Sequence, residues 1–392
     1  MTSSEPTTIC ESAKIIGSYP IAEIAEKKAA LAKSGIRTFD FGPGDDPLPI
    51  DSLVFTALRE KLPVTSAYPS AKGTATLRDS IAGYVQRRFQ VALDDAEIIP
   101  ITGSKEGIYH LPALFIDAHT KRRTVVGPAL YYPPYIKGTQ AVNGEYLAVQ
   151  GGVQENYLLE LGDLPPSVLN NVAIAYLNFP HNPTGATCTL DYYRRQIEVA
   201  HKFGFVIVSD ECYADIYFGE TAPPSALEVT TDRVLAFHSL SKRSGLTGFR
   251  SGFVAGDRNF VQGYAKLRNA IGTAPPEPIM IASTAAWNDD QHVVQRRLVF
   301  EGIRKYFTEF FTELGIEFLA TNATFYLWAK APGKLSGKEY AEKLQSRGIF
   351  VSPADFFGEG SRDWFRVSLV LPIEESRAAF EVWKDVHKEL GL

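Results

Sequence analysis

Residues 172–209 constrain this chain more than any other stretch. Val172 to Phe179 is an apolar run of strand length interrupted only by Asn178, the composition of a strand covered on both faces of a parallel sheet. Thr189 to Phe203 then places Tyr193, Ile197 and Ala200 at helical spacing and stops at Gly204, which predicts an amphipathic helix. Phe205 to Ser209 is strand-like again. Strand, helix and strand in that order require a right-handed crossover between neighbouring parallel strands. The residues after each strand then share one edge of the sheet, where open α/β folds bind ligands.

The alternation extends in both directions. Ile21 to Ser34 reads as a surface helix capped by Gly35, and Thr74 to Phe89 as a helix burying Leu77, Ile81, Tyr84 and Val85. Ile99 to Gly107 reads as a strand giving way to a helix, and Val125 to Pro128 and Val234 to Phe237 as strands. The pattern breaks before Pro276. A long helix is predicted over residues 292–314, with Val299, Ile303, Phe307, Phe310 and Leu314 on one face. Short strands follow at Phe325–Trp328, Gly348–Val351 and Trp364–Leu369, and Ser336 with Glu339 forms a capping box before a helix. A chain of 392 residues exceeds one compact core. The expected fold class is α/β, with a large domain over residues 46–290 built on a mostly parallel central sheet between helices. A smaller α+β domain over 291–392 receives part of the arm formed by residues 1–45.

Composition excludes several classes. Hydrophobic residues at 45%, charged residues at 22% and a net charge of −5 describe an ordinary globular protein without a nucleic-acid or acidic-membrane signature. Cys10, Cys188 and Cys212 are too widely spaced for a disulfide framework or a metal motif. Met1 to Thr8 lacks the features of a secretion signal, and no apolar run reaches membrane-spanning length. A cytoplasmic compartment is expected.

The chemistry-bearing residues cluster at the strand ends. After the first strand of the crossover unit comes Pro180-His181-Asn182-Pro183-Thr184-Gly185, after the second Asp210-Glu211-Cys212-Tyr213. After Val234–Phe237 come Ser239, Lys242, Gly245, Gly248 and Arg250. A lysine held near other cations and partly desolvated has a lowered pKa and can form a Schiff base with a carbonyl. The Ser239 hydroxyl and the Arg250 guanidinium suit a phosphate monoester. Gly103-Ser104-Lys105 opens a helix, whose amides favour an anion. Asp210 is costly to bury unless it meets a cation, and Arg366, inside an apolar strand, needs a carboxylate or carbonyls. The loop from Gly42 to Pro49 exposes backbone at Gly44 and is either a plain connector or substrate-facing. Taken singly, Asn182 fits a tight turn, Asp210 a helix cap or salt bridge, and Lys242 a solvated basic turn.

Together these stretches resemble the fold-type I pyridoxal-phosphate aminotransferases, the family of aspartate aminotransferase. The lysine stretch reads S-x-S-K-x-x-G-x-x-G-x-R-x-G, and the N-P-T-G at Asn182, the aspartate and tyrosine at Asp210 and Tyr213, and the F-R-x-S at Arg366 follow in family order. The resemblance implies an aspartate-aminotransferase-like fold, pyridoxal phosphate as cofactor, and a homodimer. It implies that Lys242 binds the cofactor and moves the proton. Asp210 would face the pyridine nitrogen, Asn182 and Tyr213 the phenolic oxygen, and Gly103, Ser104, Lys105, Ser239 and Arg250 the phosphate. Tyr132, beside Tyr131, would stack on the ring, and Tyr68 would reach the neighbouring subunit's cofactor. Arg366, with Asn182 and Gly44, would bind the substrate carboxylate.

The segments around Tyr68, Gly103 and Lys242 most resemble succinyldiaminopimelate and diaminopimelate aminotransferases. The implied reaction is transamination between N-succinyl-LL-2,6-diaminopimelate and 2-oxoglutarate in lysine biosynthesis. Aspartate- or alanine-type enzymes are the alternative, and a pyridoxal-phosphate lyase or a non-catalytic sensor module are alternatives of other classes. Arg268 is open between meeting a distal carboxylate and forming a surface ion pair.

Overall fold

The structure, a computed structural model, describes residues 8–9, 21–46, 48–152 and 157–392. Cys10, Pro47 and nearly all of the Met1–Thr8 stretch lie outside them. The strands are β1 (Phe39–Asp40), β2 (Ile98–Ile101), β3 (Thr124–Pro128), β4 (Glu145–Val149), β5 (Val172–Asn178), β6 (Val206–Asp210), β7 (Val234–Ser239), β8 (Gly252–Gly256), β9 (Tyr326–Lys330), β10 (Ile349–Phe350), β11 (Ser352–Pro353) and β12 (Trp364–Ser368). Seven of them form one sheet in the order β2-β8-β7-β6-β5-β3-β4. Only β8 runs antiparallel to its neighbours.

Both faces of that sheet are covered. Along β5, Ala175 and Leu177 join one apolar cluster while Ile174 and Tyr176 join another on the opposite face. This two-sided burial explains why the strand reads as a continuous apolar run. The crossover helix Leu190–Phe203 buries Tyr192, Tyr193, Ile197 and Ala200; the Thr189 hydroxyl caps its start and left-handed Gly204 ends it. The register aligns Asn178 with Asp210 and Asp210 with Phe237. The carboxyl ends of β5, β6 and β7 therefore form one rim.

A second core gathers Phe41, Phe300, Phe307, Phe311, Phe380 and Trp383 around the antiparallel sheet β11-β12-β9 and the pair β1-β10. The helix Gly337–Ser346 begins with the expected capping box of Ser336 and Glu339. The helix Gln291–Glu313 buries Phe300, Ile303, Phe307 and Phe310, but Val299 is 44% exposed. The buried stripe runs through His292, Val293, Arg296 and Phe300 instead. Arg296, Arg304 and His292 occupy a face that apolar periodicity assigns to their neighbours.

Phe307 meets Phe41 and Phe380 edge to face at 5.3 and 4.8 Å. Phe307→Ala should cost about 3–5 kcal/mol of stability, measurable as a shift of the urea unfolding midpoint; a loss below about 1 kcal/mol would mean that the second core is not packed around this ring.

Candidate active site

The rim of β5, β6 and β7 forms the floor of a cleft of about 880 Å³. Asn182, Asp210, Tyr213, Ser239 and Lys242 line it, joined by Gly44, Ser104, Lys105, Tyr132, Arg250 and Arg366 from elsewhere in the chain. Gly103 sits behind this lining as the N-cap of the helix Ser104–His110, with φ +88°. A Cβ there would collide with the Arg250 guanidinium, so the turn needs glycine to bring the arginine over the helix start. Tyr68 is fully exposed and lies outside the cleft.

Asp210 is buried at the floor. Its Oδ2 accepts from the Tyr135 hydroxyl at 2.6 Å and its Oδ1 from the Cys212 amide at 3.3 Å. It enters no ion pair among the described residues. Burial raises its pKa, and the Tyr135 and Cys212 hydrogen bonds offset part of that rise. A carboxylate so placed is complementary to a cationic N–H donor entering from the cleft. Tyr135, stacked on Tyr176 at 4.4 Å, belongs to none of the sequence motifs. Its place one helical turn beyond Tyr132 is the signal that could have found it.

Lys242 extends from the short helix Leu240–Arg243, its ammonium donating to the Gly44 carbonyl and lying 5.9 Å from the Tyr213 ring and 5.6 Å from the Phe325 ring. The Tyr213 hydroxyl shares a 2.7 Å hydrogen bond with that of Tyr326, another cleft residue outside those motifs. Arg366 donates to Asn182 Oδ1 at 2.7 Å and to the Gly42 carbonyl, with its guanidinium 4.1 Å from the Tyr326 ring. Its Nε is buried without a hydrogen-bond partner. A cleft-lining arginine whose fork is not fully committed to the protein suits an incoming carboxylate.

Asn182 is itself held from behind. Burial pushes His181 down to about 4, so the ring is neutral; Nε2 donates to the Leu130 carbonyl at 2.9 Å and Nδ1 accepts from the Thr184 hydroxyl at 2.8 Å. Cys212 also lines the cleft, but burial raises its thiol well above the usual range and leaves it protonated. Tyr131 and Tyr132 both border the cleft, and Tyr132 meets Tyr135 edge to face at 5.9 Å. On the same side, desolvation first and then the charges of Lys137 and Arg250 lower the Lys105 pKa.

Arg268 matches neither expectation. It is fully buried, away from the cleft, and its Nη1 donates to both carboxylate oxygens of Glu106. A guanidinium with no exposure cannot form a surface pair, and its partner leaves no room for a substrate carboxylate. Glu106 in turn accepts from the Thr102 hydroxyl at 2.8 Å, fixing the turn that carries Gly103.

Burial alone would raise the Glu106 pKa, but the His110 hydrogen bond and the Arg268 charge outweigh it and hold the group at about 2. A carboxylate depressed in the folded state contributes stability above its unfolded pKa and loses it as pH falls toward the folded value. Glu106→Gln should therefore lower stability at pH 7 and flatten its dependence between about pH 5 and 2, where the intact protein should lose on the order of 3 kcal/mol from this group. Urea titrations at both ends of that range check it; parallel profiles for the two proteins would contradict it.

Residues 44–382 match the family model for aminotransferase class I and II. An LL-diaminopimelate aminotransferase of Aquifex aeolicus is 33% identical over 380 residues, 95% of this chain and 97% of that protein. The substrate-bound structure of BacF from Bacillus subtilis superimposes with a TM-score of 0.92 at 22% identity, covering 97% of this chain and 98% of that one. A probable N-succinyldiaminopimelate aminotransferase from Thermus thermophilus has a TM-score of 0.87 at 25% identity, covering 94% of this chain and 100% of that one. A cleft floored by a buried aspartate and bordered by a lysine, a glycine turn under an arginine and a carboxylate-ready arginine agrees with these likenesses: the chain belongs to the class I and II aminotransferases, which depend on pyridoxal phosphate.

Proposed function

We propose that this enzyme transfers the amino group of a diaminopimelate-type amino acid to 2-oxoglutarate. The observation that carries the reaction is the convergence of Lys242, Asp210 and Arg366 on one cleft. Pyridoxal phosphate supplies an aldehyde that amines can condense with and a ring that accepts the electrons released when the Cα–H bond breaks. The donor set fits it: the Ser104 helix start, Ser239 and Arg250 would hold the phosphate. Asp210, already short of a cation, would receive the ring N–H, with Tyr135 holding the carboxylate in place. Tyr213 and Asn182 would direct hydrogen bonds to the phenolic oxygen, and Tyr132 would border the ring face.

Arg366 would grip the substrate carboxylate through paired N–H donors, with Asn182 keeping the guanidinium oriented. The carboxylate and the Gly44 backbone would fix the rotation about Cα, so that its hydrogen is presented to the Lys242 amine. Lys242, released from its present partner Gly44, would take that proton at Nζ and return it. Burial first, and the neighbouring Tyr326 hydroxyl, keep the Tyr213 phenol protonated as a donor beside the amine.

The free LL-diamine ranks first among substrates because the relatives at about one-third identity are named for it. The N-succinyl form, expected from the sequence, is the second reading, supported by a name at 25% identity. We also infer a cytoplasmic homodimer divided at about residues 46 and 291. Phe55, Leu62, Val64 and Tyr68 are exposed together on neighbouring segments, an apolar surface suited to a second copy. Tyr68 would reach the partner's cleft from it.

Single-turnover kinetics with LL-diaminopimelate, its N-succinyl derivative and aspartate should give the largest kcat/KM for the free diamine. Release of ammonia or a thiol without a keto-acid acceptor would point to a lyase instead. Arg366→Ala should lower kcat/KM for every α-amino acid by roughly a thousandfold, while Arg366→Lys should recover part of it. Equal kinetics for Arg366→Ala and the unaltered enzyme would remove the arginine from the site.

A further inference from the structure

Two loops meet at the reacting end of the cleft, and one helix grips both from outside it. The first loop carries the Gly42 carbonyl, which accepts from Arg366, Ser352 and Ser368, and the Gly44 carbonyl, which accepts from Lys242. The second is the turn after Lys242, with Ser244 and Gly245. Neither loop is part of a sheet, so something else must hold their relative position.

The helix Gln291–Glu313 does so with residues on successive turns of one face. Arg296 donates through Nε to Asp46 Oδ2 at 3.0 Å and through Nη2 to the same oxygen, while Nη1 donates to the Pro49 carbonyl at 2.9 Å. The Asp46 side chain is fully buried and that of Arg296 is 6% exposed. His292, one turn earlier, pairs its Nε2 with the Ser244 hydroxyl at 2.8 Å and its Nδ1 with Asp289 at 2.6 Å. Gly245, at φ +66°, lies directly against the Arg296 guanidinium, and a Cβ there would collide with it. The arginine thus packs against the turn of the catalytic lysine while it ion-pairs with the carboxylate-binding loop.

We infer that Arg296 and His292 are positioning residues: they splint the Gly42–Asp46 loop to the Lys242 turn, so that the carbonyls facing Arg366 and Lys242 keep one geometry. Neither residue lines the cleft. A buried pair in which two guanidinium N–H groups meet one carboxylate oxygen suits this task because loss of one partner strands the other charge. The inference rests on the aminotransferase reading only for the identity of the ligand that Arg366 holds.

Asp46→Asn, which removes a single charge, and His292→Gln separate the two halves of the splint, and Arg296→Lys retains the charge but loses the carbonyl contacts. In the cofactor-free protein, hydrogen exchange at residues 42–46 and 243–246 should speed up together in Asp46→Asn, with less change in Arg296→Lys. In the loaded enzyme, KM for the amino donor and the dissociation constant of an unreactive dicarboxylate such as maleate should rise roughly 10- to 100-fold, with a smaller change in kcat. Unchanged exchange in the lysine turn, or a lowered melting temperature with unchanged KM and maleate affinity, would overturn the inference and leave the pair a purely structural one. Failure of the unaltered enzyme to bind pyridoxal phosphate would instead sink the functional reading and leave the exchange result standing on its own.

Discussion

The structure turns on one buried carboxylate. Asp210 sits at the end of β6 with hydrogen-bond donors on both oxygens but no ion-pair partner among the described residues. Burying a charge without a counter-charge is costly, so the surroundings must either protonate it or supply a cation when the protein works. Parallel strands on either side allow this arrangement, because they deliver Asn182, Asp210 and Lys242 to a common rim without bending the backbone. The two apolar layers cover the sheet that carries that rim, and the helix of Tyr135 provides a hydroxyl that holds the carboxylate.

Around the floor, binding power is created by restricting arginines. Arg366, Arg296 and Arg268 are each buried, and each is committed to fixed acceptors through its planar fork. Among the described residues Arg366 and Arg268 each leave a buried Nε without a hydrogen-bond partner, and of the two only Arg366 lines the cleft. The division of labour follows from location. On the proposed reading, the arginine of β12 would meet the ligand, while Arg296 and Arg268, away from the cleft, would fix the segments they bond. Tyr326 of β9 lines the cleft and Phe325, just before that strand, packs 5.6 Å from the Lys242 ammonium, so the aromatic packing of the second core also shapes the site.

Much of this was legible in the sequence because its causes are local. A strand covered on both faces must be apolar along its length, as β5 is up to Asn178, and the Thr74 and Ser336 caps announce their helices. Lys242, Asp210 and Asn182 were readable because each lies at, or within a few residues of, a strand's carboxyl end. The Tyr213–Tyr326 and Glu106–Arg268 pairs join residues far apart in the chain, and no periodicity links such positions. Val299 illustrates the same limit within one helix. An apolar stripe runs there through hydrophobic residues alone, whereas the buried face accommodates Arg296 and His292 because distant loops supply their partners. Tyr68 is wholly exposed on this chain and lies outside the cleft.

The most direct test of the central claim is the visible absorbance of the purified protein with pyridoxal phosphate, for the intact chain, Lys242→Ala and Asp210→Asn. The intact chain should show a band above the free cofactor that bleaches with an amino donor. Lys242→Ala should bind the cofactor without that band, and Asp210→Asn should keep the band but bleach far more slowly. If Lys242→Ala gives the same band as the intact chain, another amine holds the cofactor, and the convergence of Lys242 and Asp210 in this cleft would need a different explanation.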